Sequence, residues 1–405
     1  MISVDRAVAI VLDTVKPLGA ESIPLESALG RILAEDVVAD IDLPPFDRAR
    51  MDGYALRGAD GEVAPFRLRV IGEVAAGTTF PGSVGQGEAV KIFTGAPMPA
   101  GADAVQMVEL TERAGGWVTI NQPTPTGNFV TPRASEVGAG QIVAEAGREV
   151  GAAEMAVLAS FGYSHARVGV MPRVVALSTG SELVEVSEEP TGAQIRNSNS
   201  YSVASYARES GAVVVVGGII KDNLNVTCDA LLEAASGSDI VITTGGVSMG
   251  DYDLVKATLL EIGAEVFFDQ VSIRPGKPTV FARRGDTLFF GLPGNPVSTS
   301  VTFNVFVRPA LRKLMGDRAP LLPVVSAIAA RPVKDGSNRM SYLPARHFVS
   351  EGRAMVEPLK WGGSSDLVSF MSANSLIIVP EEINDIAEGQ LVSTMLLPKW
   401  TNIWN

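Results

Sequence analysis

The sequence predicts a multidomain α/β protein: a doubly wound, mostly parallel sheet domain, with a β-rich insert ahead of it and a small β-barrel behind it. Three changes of pattern carry this reading. From Arg173 to Met315 apolar runs alternate with stretches of helical periodicity, as in parallel strands joined by crossover helices and covered on both faces. From Asp40 to about Gln141 the runs are short and alternating, broken by Gly and Pro. After Pro320 the helical periodicity stops and strand-like pieces return. At 405 residues the chain exceeds what one core organises, and roughly one domain per 150 residues implies several.

Taken in order, Ser3 to Val15 places Ala7, Val8, Val11 and Val15 on one helical face and stops at Pro17 and Gly19. In the β-rich insert, Phe66, Leu68 and Val70 alternate as a half-buried strand requires. Gly151 to Phe161 reads as a helix ended by Gly162, which can take the left-handed conformation of a helix end. The central run is VVAL, a helix over Ser200 to Ser210, AVVVVG, a helix over Asn225 to Ala235, DIVITT, a helix over Leu254 to Ile262, TVFA, LFFGL, and a helix over Val297 to Leu314. PVVSAIAA, AMVEPL, SLIIVP and QLVSTMLL then supply strands for the barrel.

Composition narrows the chemistry. With 46% hydrophobic and 19% charged residues the chain is globular rather than disordered. No window reaches 18 uninterrupted apolar residues, and acidic Asp5 and Asp13 stand where a signal peptide needs a basic start, so a cytoplasmic protein without a membrane partner is expected. Cys228 is the sole cysteine, and His165 and His347 are the sole histidines, so no disulfide, zinc finger or His-rich metal site can be assembled within the chain. Oxygen ligands, Lys, Arg and backbone amides suit magnesium together with an oxyanion or phosphate substrate. A formal charge of −12 argues against a broad nucleic-acid surface.

Four turns at the carboxyl ends of the central strands, where such sheets bind ligands, carry the candidate chemistry. In TTGGVSMGDYD, Thr243 to Asp253, Gly245 and Gly246 let backbone amides approach an anion, and Asp253 is either a magnesium ligand or a helix N-cap. In SIRPGKP, Ser272 to Pro278, Arg274 and Lys277 flank a Pro-Gly turn as an anion clamp, or as a solvated turn. In FGLPGNPVSTS, Phe290 to Ser300, Asn295 is a natural N-cap, Pro296 a natural first residue, and Ser298 lies among first-turn amides. STGSE, Ser178 to Glu182, and Asp222 complete the set. Carboxylates for a metal, cations for phosphates and amides for developing charge are what magnesium-assisted cleavage of a phosphoanhydride needs.

PPFDRARMDGYA (Pro44 to Ala55), FTGAPMPAGADAVQMVE (Phe93 to Glu109), STGSELVE, QIRNSNS (Gln194 to Ser200), TTGGVSMGDYD, SIRPGKP and GLPGNPVS, in this order, resemble the molybdopterin molybdenumtransferases, the family of bacterial MoeA and of the E domains of gephyrin and plant Cnx proteins. The resemblance runs from about residue 1 to 400. It implies that molybdate enters the dithiolene of adenylylated molybdopterin, that the pyrophosphate link is hydrolysed with magnesium, and that AMP leaves. Carried over by motif, the functional positions are Asp52, Thr94, Glu182, Asp222 and Asp253, with Glu182, Asp222 and Asp253 at the metal. The molybdate pocket maps to Ser248, Lys277, Pro278, Ser298, Arg339 and either Ser364 or Ser369 in GSSDLVS.

The chain also departs from the family pattern. TPRASEV, Thr131 to Val137, replaces an Arg-rich stretch ending Gly-Glu-Asp, so Arg133 and Glu136 correspond only loosely. Asn197 stands where aspartate is common, and Arg274 where lysine is common. The resemblance further implies a Mog-like α/β domain from residues 1–19 and 172–320, an elongated linking domain from 20–39 and 141–171, the β-rich domain at 40–140 and the barrel at 321–405. It implies a homodimer and, as pathway partner, a Mog-type molybdopterin adenylyltransferase. Two other functions fit parts of the pattern: adenylyl transfer itself, which the central domain resembles, and a non-catalytic scaffold of the gephyrin kind. Tungstate differs too little from molybdate in size and charge for the sequence to choose between them.

Overall fold

A computed structural model describes residues 1–246 and 254–398 and divides the chain into two compact units. The first comprises Met1–Ala34, Gly147–Gly151 and the chain from Arg167 onward; the second comprises Glu35–Ala146 and Ala152–Ala166.

The first unit is built on a six-stranded sheet of β1 (Arg173–Thr179), β2 (Val213–Ile220), β3 (Ile240–Thr244), β4 (Glu265–Phe268), β5 (Val280–Arg284) and β6 (Thr287–Leu292), in the order β2-β1-β3-β6-β5-β4. β1 pairs in parallel with β2 and with β3, and β3 in parallel with β6. The last two pairings, β6 with β5 and β5 with β4, are antiparallel. TVFA and LFFGL are therefore a hairpin, since the two residues between Arg284 and Thr287 are far too few for a parallel crossover.

Both faces are covered, which is why the strands read as unbroken apolar runs. Ile240 and Ile242 face one core with Val174, Ala176, Leu288 and Phe290, under the helices Val4–Thr14, Asn199–Glu209 and Pro296–Thr302. Val241 faces the other with Leu177, Phe289, Leu231, Val255 and Leu259, under the helices Leu224–Ala235 and Leu254–Glu261. Ser3 caps the first helix by accepting from the Arg6 amide at 3.3 Å. The stretch expected as one helix from Val297 to Leu314 is helical throughout but widens to a π turn over Phe303–Val307. Pro309 follows at once; it has no N–H for the carbonyl one turn back, and a wide turn makes room for its ring.

Beyond the sheet, Val324–Ala329, Met340–Ser350, Arg353–Pro358, Ser375–Val379 and Leu391–Leu396 close into a five-stranded barrel through the pairing of Met340–Ser350 with Ser375–Val379. Its interior holds Ala327, Leu343, Ala345, Val356, Ile377 and Val392.

The second unit carries a six-stranded sheet in the order Ala104–Met107, Gly53–Leu56, Glu88–Ile92, Phe66–Val74, Trp117–Ile120, Thr111–Ala114. Leu68 is buried in it, with Phe66 and Val70 against the same core, as their alternation requires. The helix Ala152–Ser160 belongs to this unit, and Gly162 after it has φ +74°. No described helix is long and apolar enough to cross a membrane.

Candidate active site

β1 is followed in the chain by β2 on one side of it and by β3 on the other, so the strand order reverses at β1. A crevice opens beyond the carboxyl ends at such a point. It is a cavity of about 840 Å³, lined at the strand ends by Thr179, Thr244 and Pro293 and farther out by Glu182, Asp222 and Asn295. Gly245 and Gly246, Pro278, Gly294 and Ser365 also line it.

Each wall follows from local geometry. Asp222 follows β2, and its carboxylate accepts the Ser181 amide at 2.9 Å, which ties it to the STGSE turn. Glu182 stands on that turn, and its backbone carbonyl accepts the Ile195 amide at 2.9 Å. Both carboxylates are exposed to the cavity. Gly245 is held against β1: a Cβ there would lie 2.3 Å from the Thr179 carbonyl. Its own N–H donates to the Leu292 carbonyl at 3.1 Å, so this amide belongs to the fold rather than to an anion. The Thr179 hydroxyl, on a residue 2% exposed, has no partner among the described residues, and a Cβ on Gly246 would come within 2.7 Å of it. A buried hydroxyl without a partner beside a Cβ-free surface is what a site for a polar ligand presents.

A buried polar network reaches this wall through Asn197 and Thr244. The Ser178 hydroxyl meets Asn197 Oδ1 at 2.9 Å, Ser200 Oγ at 2.7 Å and Thr244 Oγ1 at 2.9 Å, and Asn197 Nδ2 donates to Ser200 Oγ at 3.0 Å. Asn197, which departs from the family's usual aspartate, thus holds the strand ends from beneath.

Asn295 takes the N-cap position of Pro296–Thr302 but makes no capping bond with its side chain. Its Nδ2 instead donates to Ser364 Oγ at 2.9 Å, and the Ser364 carbonyl accepts the Val297 amide at 3.0 Å. The GSS turn is thereby fastened over the helix start, with Ser365 in the cavity wall. Ser369 differs: its hydroxyl donates to Asp366 at 2.7 Å within the turn of its own short helix. That bond, with the Gly362 and Ser369 amides, holds the Asp366 carboxyl below its usual range. Ser298 is buried in the first turn.

Lys277 is half-buried on its turn, its carbonyl accepting the amides of Val271 and Thr279. Arg274 and Arg339 both donate to the protein, Arg274 to Asp335 and Arg339 to the Ile273 carbonyl at 3.1 Å. Ser248 and Asp253 lie outside the described residues. Thr179, Asn199, Gly294 and Ser365 line the cavity without being named as site residues from the sequence, although each lies inside a quoted motif: STGSE, QIRNSNS, GLPGNPVS and GSSDLVS.

In the second unit the structure joins the two other expected residues. Thr94 donates to Asp52 Oδ1 through its hydroxyl and through its amide, each at 2.7 Å. These bonds, with Lys91 nearby, hold the Asp52 carboxyl below its usual range. Gly53, next in the chain, lets the strand Ala104–Met107 come close: a Cβ there would lie 1.8 Å from the Gln106 carbonyl. In the divergent TPRASEV segment, Arg133 donates to Asp42 at 2.5 Å and Glu136 accepts from Arg48 at 2.8 Å.

A switch-point cavity with two carboxylates, glycine-lined walls and hydroxyls fits one class: an α/β enzyme acting on a small polar ligand. Three family models match successive parts of the chain: the MoeA N-terminal region, domains I and II, at residues 2–162; a probable molybdopterin binding domain at 175–313; and the MoeA C-terminal region, domain IV, at 326–397. The chain is 35% identical to the molybdopterin molybdenumtransferase of Bacillus subtilis over 98% of its own length and 94% of that protein's. It is 33% identical to the enzyme of the same name from Staphylococcus epidermidis, over 98% and 95%. Among solved structures, a molybdopterin biosynthesis MoeA protein from Pyrococcus horikoshii superposes with a TM-score of 0.85 at 30% identity, over 98% of this chain and all of that one. The chain belongs to the molybdopterin molybdenumtransferase (MoeA) family, whose work is the biosynthesis of the molybdenum cofactor.

Proposed function

We propose that the chain inserts molybdate into adenylylated molybdopterin with hydrolysis of the pyrophosphate link and release of AMP, the last step of cofactor assembly. The observation that carries this is the cavity at the sheet's switch point, where Glu182 and Asp222 face glycine-lined walls across a space of about 840 Å³. That volume suits a nucleotide-sized ligand.

Glu182 and Asp222, with Asp253, are the residues that would hold magnesium; carboxylate oxygens used together with substrate phosphates and water are the donors this hard cation takes. Bound there, it would neutralise the phosphates and polarise the anhydride. Lys277, Arg339, Ser248, Ser298, Pro278 and Ser364 form the oxyanion pocket in this reading. Ser364 is preferred to Ser369 because its turn is fastened to Asn295 at the cavity, whereas the Ser369 hydroxyl is taken by Asp366. Asp52, fixed as a carboxylate by Thr94, orients a proton or ligand group through its second oxygen.

The protein works in this reading as a cytoplasmic homodimer in which Asp52 of one chain completes the site of its partner, receiving substrate from a Mog-type adenylyltransferase. The division into four domains at 1–19 with 172–320, 20–39 with 141–171, 40–140 and 321–405 belongs to the same proposal. Purified protein with adenylylated molybdopterin, magnesium and molybdate or tungstate should release AMP and form active cofactor. No AMP with either oxyanion would favour a scaffold, and ATP-dependent consumption of free molybdopterin would favour the adenylyltransferase. Mixing Asp52→Ala with Asp253→Ala chains should restore roughly a quarter of wild-type sites, since half of randomly mixed dimers are mixed and one site in each is intact. A mixture as inactive as its parents after proven subunit exchange would put the whole site in one chain.

A further inference from the structure

The turn Ser272–Pro278 is held from two sides. On one side Ile273–Arg274 pairs in parallel with Met340–Ser341 of the barrel, and the Met340 amide donates to the Ser272 carbonyl at 3.2 Å. On the other, Gly276 packs on the helix Pro296–Thr302, where a Cβ would lie 2.3 Å from Thr302 Cγ2. The Arg274 guanidinium is engaged within the protein: Nη1 donates to the Asp335 carbonyl at 2.5 Å and to its Oδ1 at 2.6 Å. The Asp335 side chain is fully buried, and its Oδ2 accepts the Ser341 hydroxyl at 2.6 Å. Its backbone is fixed as well, by the Asp335 amide donating to the Asn384 carbonyl at 2.9 Å.

A guanidinium in contact with a buried carboxylate presents almost no net charge to a dianion, but the pair makes a stiff strut, because removing either member leaves the other unpaired. We propose that Asp335 is a positioning residue of the oxyanion pocket: through Arg274 it fixes the turn that presents Lys277 and Pro278, and Arg274 acts on the oxyanion only through that turn. The proposal rests on the reading that Lys277 holds molybdate.

The test compares Arg274→Met, Asp335→Leu and their combination in the full-length protein, reading the molybdate concentration for half-maximal AMP release, the maximal rate and the thermal midpoint. Each single change should raise the molybdate requirement about tenfold, the lower end of what outer partners of a ligand site contribute, with the maximal rate changed less than about threefold. The double variant should be no worse than the worse single, because the two residues act as a unit. It replaces an ion pair with apolar groups and so tests the idea even if a single variant folds poorly. Arg274→Lys should recover most of the affinity. The proposal is overturned if the effects of the two single changes multiply, or if Asp335→Asn lowers the molybdate requirement, since a guanidinium released from its partner would then be binding the dianion itself. Lys277→Ala separates this from the parent reading: an unchanged molybdate requirement there removes the whole turn from the pocket.

Discussion

A four-residue polar network at the end of the central sheet and His347 in the wall of the barrel are both buried, yet their side chains are satisfied to opposite degrees. Ser178, Asn197, Ser200 and Thr244 are each hydrogen-bonded to another of the four, and all are at most 2% exposed. His347, 6% exposed on the strand Met340–Ser350, has no partner for either ring nitrogen among the described residues. Only its backbone is engaged, through Asn374, which accepts the His347 amide at 2.7 Å and donates to its carbonyl at 2.9 Å. A satisfied network fixes positions, whereas an unsatisfied group costs stability and fixes nothing. Asn197 and Thr244 of the satisfied network line the cavity beside Thr179, Gly245 and Asn199, and the unsatisfied imidazole does not line it. The four-residue network is satisfied, whereas the atoms left unpartnered at this end among the described residues include Thr179 Oγ1 and Asn199 Oδ1 of residues that line the cavity, where a ligand can reach.

The comparison breaks most visibly at the carboxylates carried by the rigid end. Asp222→Asn or Glu182→Gln should slow turnover by roughly 100-fold or more, the usual scale for losing one pre-organised electrostatic group, with an unchanged thermal midpoint. The same scale applies to Asp253→Asn, and near-normal turnover there would reduce Asp253 to a helix cap. Single-turnover AMP release measures each.

The network itself comes next. Asn197→Leu leaves the Ser178 and Ser200 hydroxyls and the Ser200 amide short of a partner, so stability should fall by roughly 2 to 3 kcal/mol. Asn197→Asp restores the family's common residue, keeps both acceptor contacts, and should cost less than Asn197→Leu. Denaturant unfolding decides, and equal losses would mean that packing rather than hydrogen bonding holds this end.

Thr94→Val probes a smaller device. Asp52 is held below the ordinary carboxylate range first by the Thr94 hydroxyl and then by its amide, so it stays ionised to lower pH than a free aspartate. Removing the hydroxyl raises its pKa, and the acid limb of the pH–rate profile should move to higher pH. An unmoved limb would mean that Asp52 does not control it.

How much of this was legible in the sequence depends on range. Elements defined by local periodicity were found almost to the residue: Ser3 to Val15 is the helix Val4–Thr14, and Ser200 to Ser210 is Asn199–Glu209. The direction of the last strands was not, because apolar runs look alike whether parallel or antiparallel. The partners of the site residues were also invisible. Asn295 reads as an N-cap from its neighbours, but its amide reaches Ser364, 69 residues on. Arg274 reads as a free cation until Asp335, 61 residues on, is placed beside it. Asp52 and Thr94 were each named from motifs, but their bond, across 42 residues, depends on strand pairing that no local pattern encodes.

The smallest expected effect sharpens the comparison from the barrel side. Burial pushes the His347 imidazole below its ordinary pKa, so the folded protein holds it neutral where an unfolded chain would protonate it. In that window the unfolded state binds more protons, and stability therefore falls as pH falls through the unfolded value of about 6.5 and goes on falling until the folded value is reached. The unused ring N–H adds a pH-independent cost of its own, since a buried donor without an acceptor has given up its water for nothing. His347→Phe keeps a flat ring and removes both penalties, so its unfolding midpoint should be less sensitive to pH between about 7.5 and 5 than that of the parent. Activity at neutral pH should be unchanged, because the imidazole touches neither the cavity nor the network beneath it. A variant with the same pH slope as the parent would show that His347 gains a proton acceptor in solution, and the contrast between the two buried clusters would then disappear.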